Sequence, residues 1–357
     1  MNVYKKEQVL LGRYRISSFL DAGGMQEVYV AVDETFARTV AVKVPKNGSA
    51  EKRFKRSAVL SAQVNHPNVA KTLDFFEHKG AQHLVEEYVA GENLRQRLDR
   101  YEYFDPFLAA HVTHHIAKGV AASHHVGVFH RDMKPSNILL SKEPWPISVK
   151  VSDFGISRMA KDEIDAAIEL GVDKSITTSA TLVGALPYMS PEAISDSKSA
   201  DLPADIWAIG AILYEMLSGV KPYGQGLVAV SKIMGGKPPP TLKNRGNETQ
   251  FGLIFSELLD IVKRCLVGDP KARITADALI GELSKLCYSI SERERGIVKL
   301  FGHGGKPIGF IHIPGDSDVF FHRDCCYGDV PAVGENVEFA RHDGGGADRA
   351  FPVVRIK

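Results

Sequence analysis

Apolar and polar positions along this chain follow more than one period. Val40-Ala41-Val42-Lys43-Val44 is alternating and β-branched, which predicts a strand. Further on the period lengthens: Leu108, Val112, Ile116 and Val120 recur every four residues, as on one face of an amphipathic helix. Ile206, Ile209, Leu213, Met216 and Leu217 keep helical spacing too. Helical patterning ends near Tyr288, and Ser291-Glu292-Arg293-Glu294-Arg295 reads as a charged connector. Beyond it come five short, glycine-punctuated strand patterns at 296–301, 309–313, 318–322, 336–340 and 350–355. Such strands suit a small closed barrel of the OB type.

Composition narrows the picture only slightly. A length of 357 residues leaves room for about two domains, and 44% hydrophobic content is ample for real cores. A formal charge of +1 gives no electrostatic case for a nucleic-acid or membrane-surface protein. No apolar run reaches spanning length, and the start, with Lys5, Lys6 and Glu7, lacks a signal-peptide core. The expectation is a cytoplasmic protein with no membrane partner. Cys265 and Cys287 fall in helical context and Cys325-Cys326 follows a barrel strand, so neither zinc nor a disulfide is indicated. His111 and His115 have ligand-like spacing on a helix, but no third ligand is evident and a structural role is expected.

The chemistry is concentrated in His130-Arg131-Asp132-Met133-Lys134-Pro135-Ser136-Asn137 and, downstream, Asp153-Phe154-Gly155. These segments resemble the catalytic loop and metal-binding turn of protein kinases. Phosphoryl transfer asks the protein for positioning and charge neutralisation rather than covalent chemistry. The resemblance implies that Asp132 is the base, that Lys134 steadies the transferred phosphate, and that Asn137 and Asp153 hold Mg²⁺ (or Mn²⁺) on ATP. Leu20-Asp21-Ala22-Gly23-Gly24, with Val28, is similar to a glycine-rich phosphate loop. Ala41 and Lys43 fit the ATP-anchoring strand, and Leu84 to Gly91 a strand and hinge. There the backbones of Glu87 and Val89 would meet adenine. Arg131, Glu192, Asp205 and Arg273 match the family's supporting positions. The resemblance covers about residues 12 to 285.

Departures bear on activity. Asp21 and Gln26 stand where relatives mostly carry glycine, and Asp21 either repels phosphate or points to solvent. Ser57 replaces the small-lobe glutamate that pairs with the strand lysine, while Glu86 occupies the normally apolar gatekeeper position. Because a buried glutamate needs a partner, Glu86 is expected to hold Lys43 in its place, unless another acidic residue near Ser57 does so. Gly184-Ala185 replaces a Gly-Thr pair. Between Gly155 and Ser190, Ser175, Thr177, Thr178, Ser179 and Thr181 are candidate autophosphorylation sites, with Arg131 as the receptor for the added phosphate.

The carboxy-terminal strands resemble a cold-shock domain, through Gly-x-Val-Lys-x-Phe, Gly-Phe-Ile and Asp-Val-Phe-x-His in family order. That implies a surface of Lys299, Phe301, Phe310, Phe320 and His322 that binds single-stranded RNA or DNA by stacking bases on its aromatics. Leu300, Ile308 and Arg323 replace expected aromatics, so binding should be weak; the other reading is a barrel that docks on the larger domain or on a protein partner. The expected architecture is α+β. A two-lobed kinase fold occupies 12–287 (small lobe about 12–86, large lobe about 90–287), followed by a 288–295 linker and a 296–357 OB-type barrel. The expected activity is serine/threonine phosphorylation of protein substrates. The alternatives are a nucleotide-binding pseudokinase scaffold, or an RNA- or ssDNA-binding regulator with weak kinase activity.

Overall fold

The structure is a computed structural model that describes residues 3–22, 26–46, 51–154, 184–196, 201–286 and 291–356. Gly23, Gly24, Gly155 and all five candidate phosphosites, Ser175, Thr177, Thr178, Ser179 and Thr181, lie outside those residues.

The small lobe is a sheet of β1 (Val9–Leu10), β2 (Tyr14–Ala22), β3 (Gln26–Asp33), β4 (Arg38–Pro45), β5 (Thr72–His78) and β6 (Ala81–Glu87), in the order β1-β2-β3-β4-β6-β5. Strict alternation in β3 buries Tyr29 and Ala31 against Val40, Val42 and Val85. The lobe begins earlier than residue 12, since Tyr4 and Leu10 belong to this core. Helix α1 (Glu51–Ala62) lays Phe54 and Ala58 onto Leu84 and Phe75.

A three-stranded sheet, β7 (Gly91–Asn93), β8 (Ile138–Ser141) and β9 (Val149–Val151), lies next in the chain. Around it are α2 (Leu94–Tyr101), α3 (Pro106–His125), α4 (Pro191–Ser195), α5 (Leu202–Ser218), α6 (Gly226–Met234), α7 (Leu253–Cys265) and α8 (Ala276–Lys285). Helix α3 starts where its chemistry demands: Asp105 caps it, accepting from the amides of Phe107 and Leu108, and Pro106 takes the first turn. Its stripe of Leu108, Val112, Ile116 and Val120 packs with Ile209 and Leu213 of α5 in one large core. Among the described residues, no helix is long and apolar enough to cross a membrane.

The last unit is a closed barrel of β10 (Arg293–Phe301), β11 (Ile308–His312), β12 (Val319–His322), β14 (Asn336–His342) and β15 (Arg349–Arg355). The two-residue β13 (Cys326–Tyr327) edges β15. The order β12-β11-β10-β14-β15 closes where Phe320 of β12 pairs in parallel with Arg349 of β15. The first strand begins at Arg293, inside the expected linker, because Arg293 and Arg295 are recruited by groups that a local pattern does not reveal. Buried Arg293 forms a bidentate pair with Asp105, at 2.7 and 3.0 Å. Glu338, fully buried on β14, accepts from the Tyr101 hydroxyl and faces Arg295 at 3.4 Å. An aromatic cluster of Phe251, Tyr327, Tyr103, Phe107 and Phe351 completes the contact between barrel and large lobe. Gly328 is required there: its φ is +86°, and a Cβ would lie 1.9 Å from the Tyr103 hydroxyl.

Candidate active site

The segment after α3 is held from below by one carboxylate. Asp205, in the first turn of α5 and 1% exposed, accepts from the backbone N–H of His130 at 2.9 Å and of Arg131 at 2.8 Å. His124 approaches the same carboxylate at 3.0 Å. Burial alone would raise the Asp205 pKa; the His124 hydrogen bond and these partners outweigh it and hold it low. Arg131 is thereby kept at φ +65°, a conformation that a non-glycine residue adopts only when its surroundings enforce it. His130 is buried, its Nε2 2.8 Å from the Ser152 carbonyl, so the loop is tied to the strand that leads to Asp153.

Asp132, 9% exposed, follows. Its Oδ2 lies 2.8 Å from Lys134 Nζ, and its carbonyl accepts from Asn137 Nδ2 at 2.8 Å. Pro135 opens the 3₁₀ turn Pro135–Asn137, which folds Asn137 back onto Asp132. Buried Ala185 has no hydroxyl to offer this group, and Asp132 and Lys134 pair with each other.

Across the cleft, Lys43 lies between two carboxylates, 2.5 Å from Glu86 Oε2 and 3.0 Å from Asp153 Oδ1. The register explains the first contact: Ala41 opposes Glu86 and Lys43 opposes Leu84 in adjacent strands, which brings Glu86 beside the lysine on one face of the sheet. Burial lowers the Lys43 pKa, but the charges of Asp153 and Glu86 more than offset this and keep it above the ordinary lysine value. For Glu86 burial dominates and pushes its pKa up. We take the pair as ionised, because Lys43 has two carboxylates to neutralise and each holds it cationic.

Ser57 occupies no part of that pairing. It is 1% exposed, and its hydroxyl donates to the Phe154 carbonyl, linking α1 to the turn after Asp153. Asp153 itself sits at φ +64° and also accepts from Gln26 Nε2 at 2.8 Å and Ser152 Oγ at 3.1 Å. Sequence reading missed the Ser57 and Gln26 contacts; the only available signal was that both are polar residues at positions of unusual identity.

The remaining candidates fall as follows. Leu20, Asp21 and Ala22 are exposed, and Asp21 accepts the Ala22 amide at 2.7 Å. Val28 is half-buried and Ala41 buried. Glu87 directs its side chain to Lys150, 3.1 Å away, and its amide to the Lys71 carbonyl, while Val89 is half-buried. Arg273 grips Glu192 at 2.7 Å, 81 positions away in sequence, from a buried site over Trp207. Also unanticipated was Glu215, buried on α5, which accepts from Tyr188 at 2.5 Å and Arg95 at 2.6 Å and so fixes Leu186–Tyr188 beside α2.

On the barrel, Leu300, Phe310 and Phe320 oppose one another across three strands, and the Phe310 and Phe320 rings meet edge to face at 5.8 Å. One other candidate differs from expectation. Phe301 does not join this row, because a bulge between Val298 and Leu300 turns it inward to stack on buried Phe321 at 5.5 Å. Lys299 is paired with Asp318 at 2.6 Å. His322 lies beside Asp324, at 3.4 Å. His111 and His115 bond to the Pro146 carbonyl and to Asn68, respectively.

Residues 14–282 match the family described as protein kinase domain. The chain is 33% identical over 233 residues to a probable serine/threonine-protein kinase PknB of Corynebacterium glutamicum, covering 62% of this chain and 34% of that protein. It is 31% identical over 288 residues to a probable serine/threonine-protein kinase of Clostridium perfringens, covering 78% and 39%. With serine/threonine-protein kinase pkn2 of Myxococcus xanthus it shares 37% over 221 residues, covering 60% and 25%. The match therefore spans only 25 to 39% of the length of these relatives.

Proposed function

The chain belongs to the protein kinase family, and from that premise we propose that it transfers the γ-phosphate of ATP to serine and threonine hydroxyls of proteins. The observation that carries this reading is the pair of linked groups, Lys43 on Asp153 and Glu86, and Asp132 with Lys134 and Asn137, joined through Ser152, which donates to the Asn137 carbonyl and to Asp153. In this reading the substrate oxygen attacks the γ-phosphorus as the bond to the leaving ADP oxygen breaks, and Asp132 accepts the hydroxyl proton. Lys134 offsets the charge that accumulates beside Asp132, and Lys43 anchors the nucleotide.

A divalent cation fits the donors present. Asn137 and Asp153 are hard oxygen donors, and Gln26 Oε1, on the side chain that contacts Asp153, is a buried acceptor with no partner among the described residues. Asn137 and Asp153 would hold it, and when bound it would neutralise the phosphates. Autophosphorylation within Ser175 to Thr181 is part of this proposal, with the product charge received by Arg131. Free thiols at Cys265, Cys325 and Cys326 suit the cytoplasmic setting of this reading.

For the barrel, the buried Arg293–Asp105 pair favours a fixed dock on the large lobe. Its strand order supports an OB-type, cold-shock-like reading. The outward pair Phe310 and Phe320 favours a second role in stacking single-stranded nucleic acid. Labelled phosphate transfer to the chain and to a generic basic protein tests the main reading, with Asp132→Asn as control and single-stranded RNA as a variable. Label lost in the variant supports it. ATP binding without label in the wild type would replace it with the scaffold.

A further inference from the structure

Gln26 opens β3, at the cleft end of the strand, two positions before the residue that opposes Lys43. Its amide nitrogen and the Lys43 ammonium converge on the same oxygen of Asp153, at 2.8 and 3.0 Å. Its other end is unused among the described residues: Oε1 is buried and has no hydrogen-bond partner there. A native fold leaves few buried acceptors unsatisfied without a reason. Asn137, in the opposite lobe, commits its amide nitrogen to the Asp132 backbone carbonyl at 2.8 Å and to the Asp132 carboxylate at 3.3 Å. Two primary amides thus each place their nitrogen on an aspartate, but only Gln26 leaves its oxygen without a partner among the described residues.

We infer that Gln26 is a further oxygen ligand for the divalent cation that Asp153 would hold, an assignment that rests on the phosphotransfer reading above. Without a cation, an amide beside a carboxylate must present its N–H₂ end, because the carbonyl end would meet like partial charge. A cation at Asp153 reverses that preference, and rotation about the last side-chain bond brings Oε1 to the metal. Hard cations favour such oxygens, and a neutral carbonyl adds a ligand without adding negative charge against the triphosphate.

The test is a Mn²⁺ titration followed by electron paramagnetic resonance, with a non-hydrolysable ATP analogue, alongside analogue binding in chelator. Gln26→Met keeps the length of the side chain and removes the oxygen; Gln26→Glu keeps the oxygen and adds charge. The expected result is about tenfold weaker Mn²⁺ binding in Gln26→Met, retained or tighter binding in Gln26→Glu, and chelator-phase affinity within about twofold of wild type in both. Unchanged or tighter Mn²⁺ binding in Gln26→Met would overturn the assignment and leave Gln26 a latch that competes with the cation. Equal weakening with and without metal would overturn it in favour of a phosphate contact. A wild type that binds the analogue with no Mn²⁺ at all would instead remove the phosphotransfer reading itself.

Discussion

Replacing Glu86 tests how this chain holds its nucleotide-anchoring lysine. The carboxylate lies 2.5 Å from Lys43, and the two side chains are 3% and 6% exposed. At an effective dielectric constant of about 20, their attraction is about 7 kcal/mol before desolvation. Removing one member of a buried pair costs about 3–5 kcal/mol net, because the survivor stays buried with its charge. Lys43 still has Asp153 at 3.0 Å, which puts Glu86→Met near the lower end, about 3 kcal/mol. Such a loss lowers the melting temperature by roughly 4–5 °C. Phosphotransfer suffers too, since Lys43 is then drawn wholly to Asp153, the group needed for the cation. If the full 3 kcal/mol is felt in the transition state, kcat/KM falls roughly a hundredfold. Glu86→Gln keeps an acceptor of the same shape without its charge and should fall between. Adding Ser57→Glu to Glu86→Met returns a carboxylate from α1 and should recover part of the rate. Steady-state kinetics and calorimetry on the set decide it. A Glu86→Met protein with wild-type melting and wild-type kcat/KM would refute the argument.

The barrel contact makes a second prediction: Arg293→Met leaves Asp105 buried without its partner and should cost about 3–5 kcal/mol, read as a lower urea midpoint, while Arg293→Met with Asp105→Asn should be milder. Third, His83 is fully buried beside the Tyr4 hydroxyl at 2.6 Å, and burial pushes its pKa down to about 4. The folded protein therefore holds it neutral while the unfolded chain takes up a proton below its ordinary pKa of about 6.5. Stability from this group is complete above that value and lost as pH falls toward 4, so melting temperature should drop across that window, and less steeply in His83→Phe. Fourth, Phe310→Ala and Phe320→Ala should each weaken oligonucleotide binding by about 1–3 kcal/mol in a fluorescence-anisotropy titration, with kinase activity unchanged. No binding by the wild type would remove the nucleic-acid role and leave the dock.

Local pattern carried a good deal of this protein. The four-residue stripe of α3, the β-branched run of β4 and the five barrel strands are visible because burial repeats with the period of each backbone. The segments around Asp132 and Asp153 are legible for another reason: their roles depend on residues a few positions apart. The sequence also marked Glu86 as an acid in an apolar setting. What a period cannot report is which element lies opposite a given face. Whether Glu86 meets Lys43 depends on the register of β4 against β6. Gln26 reaches Asp153 across 127 positions, Ser57 reaches Phe154 across 97, and Arg293 reaches Asp105 across 188. Arg293 looked like part of a solvated charged connector, because charge in a sequence reads as exposure until a buried partner is known. Phe301 looked like part of the exposed aromatic row until the bulge after Val298 reversed its side. Hydrophobic period and catalytic spacing are properties of a short segment; partners for buried charges and amides are set only when distant segments pack.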